Sequence, residues 1–226
     1  MRVVILISGR GSNMQALLEA DYPDAAEVEF VCVISNKATA RGLSIAAARG
    51  IRTEVLEHPA FPDRASFDAA LAARIDAYRP DLVVLAGFMR VLSESFVRHY
   101  ENRLINVHPA LLPAFPGLDT HARALAAGVK VHGCTVHFVT PEVDAGPIIA
   151  QAAVPVLADD TPQALAERVL RQEHRIYPLV LGWLAQGRLR RRENGTFAVI
   201  SPSGRDMTAT NIDASGTALI SPLPTS

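Results

Sequence analysis

An amide, an imidazole and a carboxylate stand at element ends in the middle of this chain. Asn106 and His108 close a short apolar run that begins at Leu104, and Asp144 follows another run, Thr135 to Val139, in a turn ended by Gly146 and Pro147. Alternation along a strand sends Asn106 and His108 to one face, with Val107 opposite. Pro109 lacks a backbone donor and stops that strand. Asn106 offers an amide N–H pair, protonated His108 a cationic donor, and Asp144 an anion able to hold the ring charged or to accept a proton. That is equipment for charge stabilisation and proton transfer. A blander account stays open, in which Asn-x-His caps a turn and Asp144 is a turn residue through local hydrogen bonds.

A second candidate lies at the start of the chain. The apolar run Arg2 to Ile7 reads as a parallel strand buried on both faces. Ser8-Gly9-Arg10-Gly11-Ser12-Asn13 follows, and Met14 to Leu18 is helical in pattern. Strand, glycine-rich turn and helix together aim backbone amides and a helix N-terminus at an anion. The loop is neither a Walker A sequence nor a full dinucleotide fingerprint, because the third glycine is missing. A tight turn needing glycine only for its backbone angles is the competing account.

The elements that would position these groups alternate. Strands are expected at Val28–Ser35, Arg52–Leu56, Leu82–Ala86 and Leu104–Val107, with helices at Ala40–Arg49 and Asp63–Tyr78 between them. The second helix carries Phe67, Leu71 and Ile75 on one face. Gly87 to Leu92 comes directly after the carboxyl end of a buried strand, where open α/β sheets bind ligands. Met89, Val91 and Leu92 can be core residues there, or line an apolar slot for a flat ring. Residues 111–116 are too rich in proline for a helix and read as a structured loop. Thr120–Ala127 is a helix closed by Gly128, and Val129–Val139 a longer strand with a hairpin partner at Ile148–Val156. A helix opens at Asp159-Asp160-Thr161-Pro162 and runs to about Gln186, with an irregularity near Pro178. Arg188–Ile200 alternates around Asn194-Gly195, the signature of a β-hairpin. The pattern predicts an α/β fold with a doubly wound, mostly parallel sheet and a C-terminal antiparallel hairpin. One domain is expected over residues 1–200, and 201–226, dominated by Ser, Thr, Gly and Pro, is expected to be a flexible tail.

Composition narrows the partners. Lys and Arg number 22 against 23 Asp and Glu, so no electrostatic footprint for nucleic acid appears. Cys32 and Cys134 fall in apolar runs and suit buried thiols in a reducing compartment. The first apolar run is too short for a signal or membrane segment. A cytoplasmic protein is expected, with no membrane partner. His132 and His137 are five apart on one strand and face opposite sides, so no metal is expected.

These residues carry a family resemblance. I-S-G-R-G-S-N at 7–13, S-N-K at 35–37, L-A-G-F-M-R at 85–90 and N-V-H-P-A-L-L-P at 106–113 occur in order. H-G-C-T-V-H-F-V at 132–139, D-A-G-P at 144–147 and Q-E-H-R-I-Y-P at 172–178 complete the set. It resembles the folate-dependent phosphoribosylglycinamide formyltransferases over about residues 2–192, with Ala110 where serine would be usual. The resemblance implies a Rossmann-like formyltransferase fold and formyl transfer from 10-formyltetrahydrofolate, as co-substrate, to the amine of glycinamide ribonucleotide in purine biosynthesis. Carried over by motif, Asn106, His108 and Asp144 would be catalytic. Gly11, Ser12 and Asn13 would hold the ribonucleotide phosphate, and Glu173 would contact its sugar or amine side. Arg64, Met89, Arg90, Val91, Leu92, Asn106, Thr140 and Val143 would frame the folate. A monomer or a homodimer fits.

The residues agree with that chemistry. An amine attacking a formyl carbon generates a tetrahedral oxyanion that needs donors already in place. No Ser or Cys nucleophile is required, so direct transfer is the simpler route. Three other readings compete. A hydrolase releasing formate from the same folate would share the triad, but such enzymes carry an extra N-terminal regulatory domain, and here the first strand starts at Arg2. A transferase acting on initiator tRNA would bring a basic C-terminal barrel. A non-catalytic nucleotide- or folate-binding module would have no need of all three polar groups.

Overall fold

The run Arg2–Ile7 has five consecutive side chains inaccessible to solvent, as a strand covered on both faces requires. In the computed structural model, which describes residues 1–22, 28–201, 203–207, 211–212 and 218–222, it is the strand that its neighbours flank. The chain divides into two compact units, residues 1–106 with 139–141, and residues 107–138 with 142–226.

The first unit alternates strand and helix. Its elements are β1 (Arg2–Ile7), α1 (Ser12–Glu19), β2 (Glu29–Ser35), α2 (Arg41–Ala47), β3 (Thr53–Val55), α3 (Arg64–Asp76), β4 (Leu82–Leu85), α4 (Glu94–His99) and the start of β5 (Leu104–His108). The strands are parallel, in the order β5-β4-β1-β2-β3. Order reversal at β1 is the doubly wound arrangement, which leaves a crevice at the carboxyl ends of β1 and β4. Asp63 caps α3 by accepting from the Ser66 N–H at 2.7 Å. Phe67, Leu71 and Ile75 of that helix enter a core shared with Val4, Leu6, Val83 and Phe96. Helix α4 has no strong periodic signal in the sequence. Its six residues are held by the Ser93 cap and by burial of Phe96 and Val97.

The second unit holds the end of β5, α5 (Thr120–Ala126), β6 (Val131–Phe138), β7 (Ile148–Pro155), α6 (Pro162–Ala185), β8 (Leu189–Arg191), β9 (Phe197–Val199), β10 (Asn211–Ile212) and β11 (Leu219–Ser221). Strands β6 and β7 pair antiparallel, and α6 packs on both. That helix buries Leu165, Val169, Ile176, Tyr177, Val180 and Leu181, a helical period, and it continues through Pro178. Proline costs a helix interior about 3 kcal/mol, which burial of the flanking apolar face offsets. The hairpin β8–β9 forms around Asn194-Gly195 as the alternation predicts.

The residues after Ser201 depart from the reading of a tail without fixed structure. β11 pairs antiparallel with both β10 and β7, joining Ile220 to Ala152. Ala218 and Ile220 are buried while Leu219 is exposed, so period-two burial is present over a window too short to register as a strand. Residues 202, 208–210, 213–217 and 223–226 of the expected tail lie outside the described residues.

Candidate active site

The loop after β1 is built from backbone. Gly11 is the N-cap of α1 with φ 76°, and no side chain caps that helix. A β-carbon at Gly11 would lie 2.7 Å from Gly42 Cα, so the position needs glycine for both its angle and the close approach of α2. Gly42 N–H in turn donates to Gly9 O at 3.0 Å. Tight packing and an amide-lined helix start therefore coexist in one turn.

The segment after β4 is pinned at both ends. Met89 N–H donates to Ser8 Oγ at 2.8 Å, and Ser93 N–H donates to the buried Asp68 Oδ2 at 2.6 Å. Between those anchors Phe88 and Leu92 turn into the core, whereas Met89 and Val91 are 67% and 52% exposed. Two of the three apolar side chains singled out from the sequence are thus open to solvent, and the third, Leu92, belongs to the core. The Arg90 guanidinium lies 5.0 Å from the centre of the Phe67 ring. Arg64 is the exposed first residue of α3.

The second unit brings His108 and Asp144 together. His108 Nδ1 is 3.3 Å from Asp144 Oδ2, and the two side chains are only 6% and 11% exposed. The other ring nitrogen, Nε2, faces Phe115 O at 3.0 Å. Both neighbours are acceptors. Asp144 has φ 55°, a left-handed conformation that costs a non-glycine residue free energy. Gly117 N–H donates to its Oδ2 at 2.8 Å, so the carboxylate is held where the ring is.

Sequence reasoning set His137 aside, yet its Nε2 lies 3.8 Å from Asp144 Oδ1. Its Nδ1 is 2.9 Å from Phe138 O, and burial holds the ring's pKa below the ordinary histidine value. The signal was its place on the strand just before the Asp144 turn. Thr135 was also missed. Its Oγ1 donates to Ala110 O at 2.7 Å and accepts from Leu112 N–H at 3.0 Å and from Gln151 Nε2 at 3.0 Å. Thr120 Oγ1 adds a bond to Pro109 O at 2.8 Å. This brace fixes the chain immediately after His108.

The remaining candidates are placed as follows. Asn106 is half-buried on β5, in the first unit. Thr140 is also in that unit, and Val143, in the second, is 51% exposed. Glu173 is buried on α6, where after burial itself its charge is the next largest influence raising the Cys134 thiol and the Tyr177 hydroxyl. Gly11 is buried, and Ser12 and Asn13 are half-buried. Among the described residues no group of three His, Cys, Asp or Glu side chains is placed to hold a metal ion, and no helix is long and apolar enough to cross a membrane.

Comparison with known proteins identifies the family. Residues 1–181 match the family described as formyl transferase. The chain is 51% identical over 197 residues to phosphoribosylglycinamide formyltransferase of Escherichia coli (strain K12), covering 87% of this chain and 93% of that one. It is 48% identical over 200 residues to the trifunctional purine biosynthetic protein adenosine-3 of Bos taurus, covering 88% of this chain and 20% of that longer protein. Among solved structures, glycinamide ribonucleotide transformylase 1 from Symbiobacterium toebii superposes with a TM-score of 0.84 at 48% identity, covering 88% of this chain and 93% of that one.

Proposed function

The chain belongs to the formyl transferase family, and we propose that it moves the formyl group of 10-formyltetrahydrofolate onto the amine of glycinamide ribonucleotide. The observation that carries this reading is the 3.3 Å approach of His108 Nδ1 to Asp144 Oδ2 in a nearly closed setting. Residues 1–200 are taken as one formyltransferase domain. The enzyme is placed in the cytoplasm as a monomer or homodimer acting on small molecules, with no part for nucleic acid or membrane.

The geometry of His108 and Asp144 supports the following roles. Asp144, fixed by the Gly117 N–H, orients the His108 ring through Nδ1. Protonated His108 then donates at both nitrogens. Nε2 exchanges the Phe115 carbonyl for the formyl oxygen as negative charge develops there, and Asn106 supplies a second donor. The amine nitrogen bonds to the formyl carbon and loses a proton to Asp144, directly or through a water. The carbon–nitrogen bond to the folate then breaks, and the folate nitrogen takes up the proton that Asp144 received from the amine. Gly11, Ser12 and Asn13 hold the ribonucleotide phosphate, with Glu173 on the sugar or amine side. The exposed Met89 and Val91 offer the folate ring an apolar ledge, framed by Arg64, Arg90, Leu92, Thr140 and Val143.

Loss of formyl-folate, followed by absorbance with no acceptor, with glycinamide and with the ribonucleotide, tests the reading. Turnover is expected only with the ribonucleotide, because remote phosphate binding orients the reacting amine. Equal rates in all three would make the protein a hydrolase.

A further inference from the structure

We propose that Ser8 is a positioning residue that couples the formyl-donor segment to the ribonucleotide loop, so that each substrate tightens the other. The inference rests on the function proposed above and names a residue outside the assigned binding set. Ser8 directly follows β1 and precedes the glycine loop, and it is 5% exposed. Its Oγ donates to Asn36 Oδ1 at 2.6 Å and accepts from Met89 N–H at 2.8 Å. Its own N–H donates to Gly87 O at 3.1 Å. One side chain therefore joins three strand ends, those of β1, β2 and β4, at the edge where ligands bind in such sheets.

The direction of the relay is set by chemistry. A hydroxyl has a single proton, and the amide oxygen of Asn36 takes it. The lone pairs are left for Met89, and donation on one side strengthens acceptance on the other. The donor segment has a second anchor at Ser93, on Asp68, a carboxylate of α3. Of these two anchors, the one at Met89 is made by the residue that opens the glycine loop. Ordering the loop around a phosphate reduces the motion left for Ser8, and with it the freedom of Met89. A second ligand binding to a part already ordered has less entropy to lose.

The test uses the full chain with tetrahydrofolate, which carries no formyl group, titrated calorimetrically with and without glycinamide ribonucleotide. In the native protein the ribonucleotide should tighten tetrahydrofolate about three- to tenfold, the scale of one hydrogen bond. Ser8→Ala should bring that factor close to one and raise both KM values about three- to tenfold, with kcat little changed. Asn36→Ala should weaken folate in the same way, and the double variant should be no worse than Ser8→Ala, because both act through one hydroxyl. Ser8→Thr, which keeps the hydroxyl, should keep the coupling. Asp68→Asn should alter folate affinity alone. Native-like coupling in folded Ser8→Ala, or in Asn36→Ala should Ser8→Ala not fold, would overturn the relay, as would a native protein without coupling. A native protein that shows the coupling but transfers no formyl group would instead overturn the assigned reaction.

Discussion

The loop after β1 and the centre at the end of β5 are built in opposite ways. The first is made of backbone: Gly11 at φ 76°, a helix start with no side-chain cap, and α2 packed too close for any β-carbon. The second is made of side chains: His108, Asp144 and His137 in contact, with Thr135, Gln151 and Thr120 bracing the chain beside them. A backbone site cannot be emptied without deforming it. A side-chain site can lose its chemistry and keep its shape.

The largest effect should come from the side-chain centre. His108→Ala and Asp144→Asn are each expected to lower kcat by about 10²–10³, as loss of one oxyanion or proton-transfer group does. The melting temperature should move far less than the rate suggests. A folded His108→Ala protein with near-native turnover would remove the role given to that ring.

Gly11→Ala should reverse the ranking. A left-handed alanine costs about 1–2 kcal/mol, and the 2.7 Å clash with Gly42 Cα adds to it. Stability should fall by about 2–3 kcal/mol in urea unfolding, with loss of ribonucleotide affinity and kcat at saturation affected least. Unchanged stability would mean that the turn relaxes freely, and the contrast between the regions would blur.

The smallest effect concerns pH and the loop beside the centre. His132 is buried against His121 and Phe115, and burial, with nearby His121 adding to it, pushes its pKa down to about 4 from 6.5. A histidine lowered in the folded state takes its proton first in the unfolded chain. Its contribution is therefore complete above the unfolded value of about 6.5 and is lost as pH falls toward 4. His132→Asn should flatten the fall in urea midpoint between about pH 7.5 and pH 4.5. An unchanged slope would assign the acid sensitivity to other groups, the lowered His121 and His137 among them.

The contrast also explains what could be read from the sequence. Turns built from backbone announce themselves, because glycine next to an apolar run has few reasons to be there. The five parallel strands, the capped α3 and the hairpin at Asn194-Gly195 were legible for the same reason, each being a local pattern. The His108–Asp144 contact was legible because proline and glycine marked both element ends. His137 was not, since strand parity places a side chain on a face and says nothing of what a distant turn brings against it. Thr135 and Gln151 act on residues 25 and 39 positions away, a relation no window contains. Helix α4 and strand β11 are too short for their periods to rise above composition, and tertiary burial of Phe96, Val97 and Ile220 decides them.

The central claim is that His108 and Asp144 act as one catalytic unit in formyl transfer to the ribonucleotide. A double-mutant cycle in kcat, with saturating formyl-folate and glycinamide ribonucleotide, tests it most directly. The account predicts a His108→Ala, Asp144→Asn double variant slowed by far less than the product of the two single losses, because removing the ring already removes what the carboxylate orients, and only its proton acceptance is left to lose. Losses that multiply, giving a double variant slower than either single one by a further factor of about 10² or more, would contradict it.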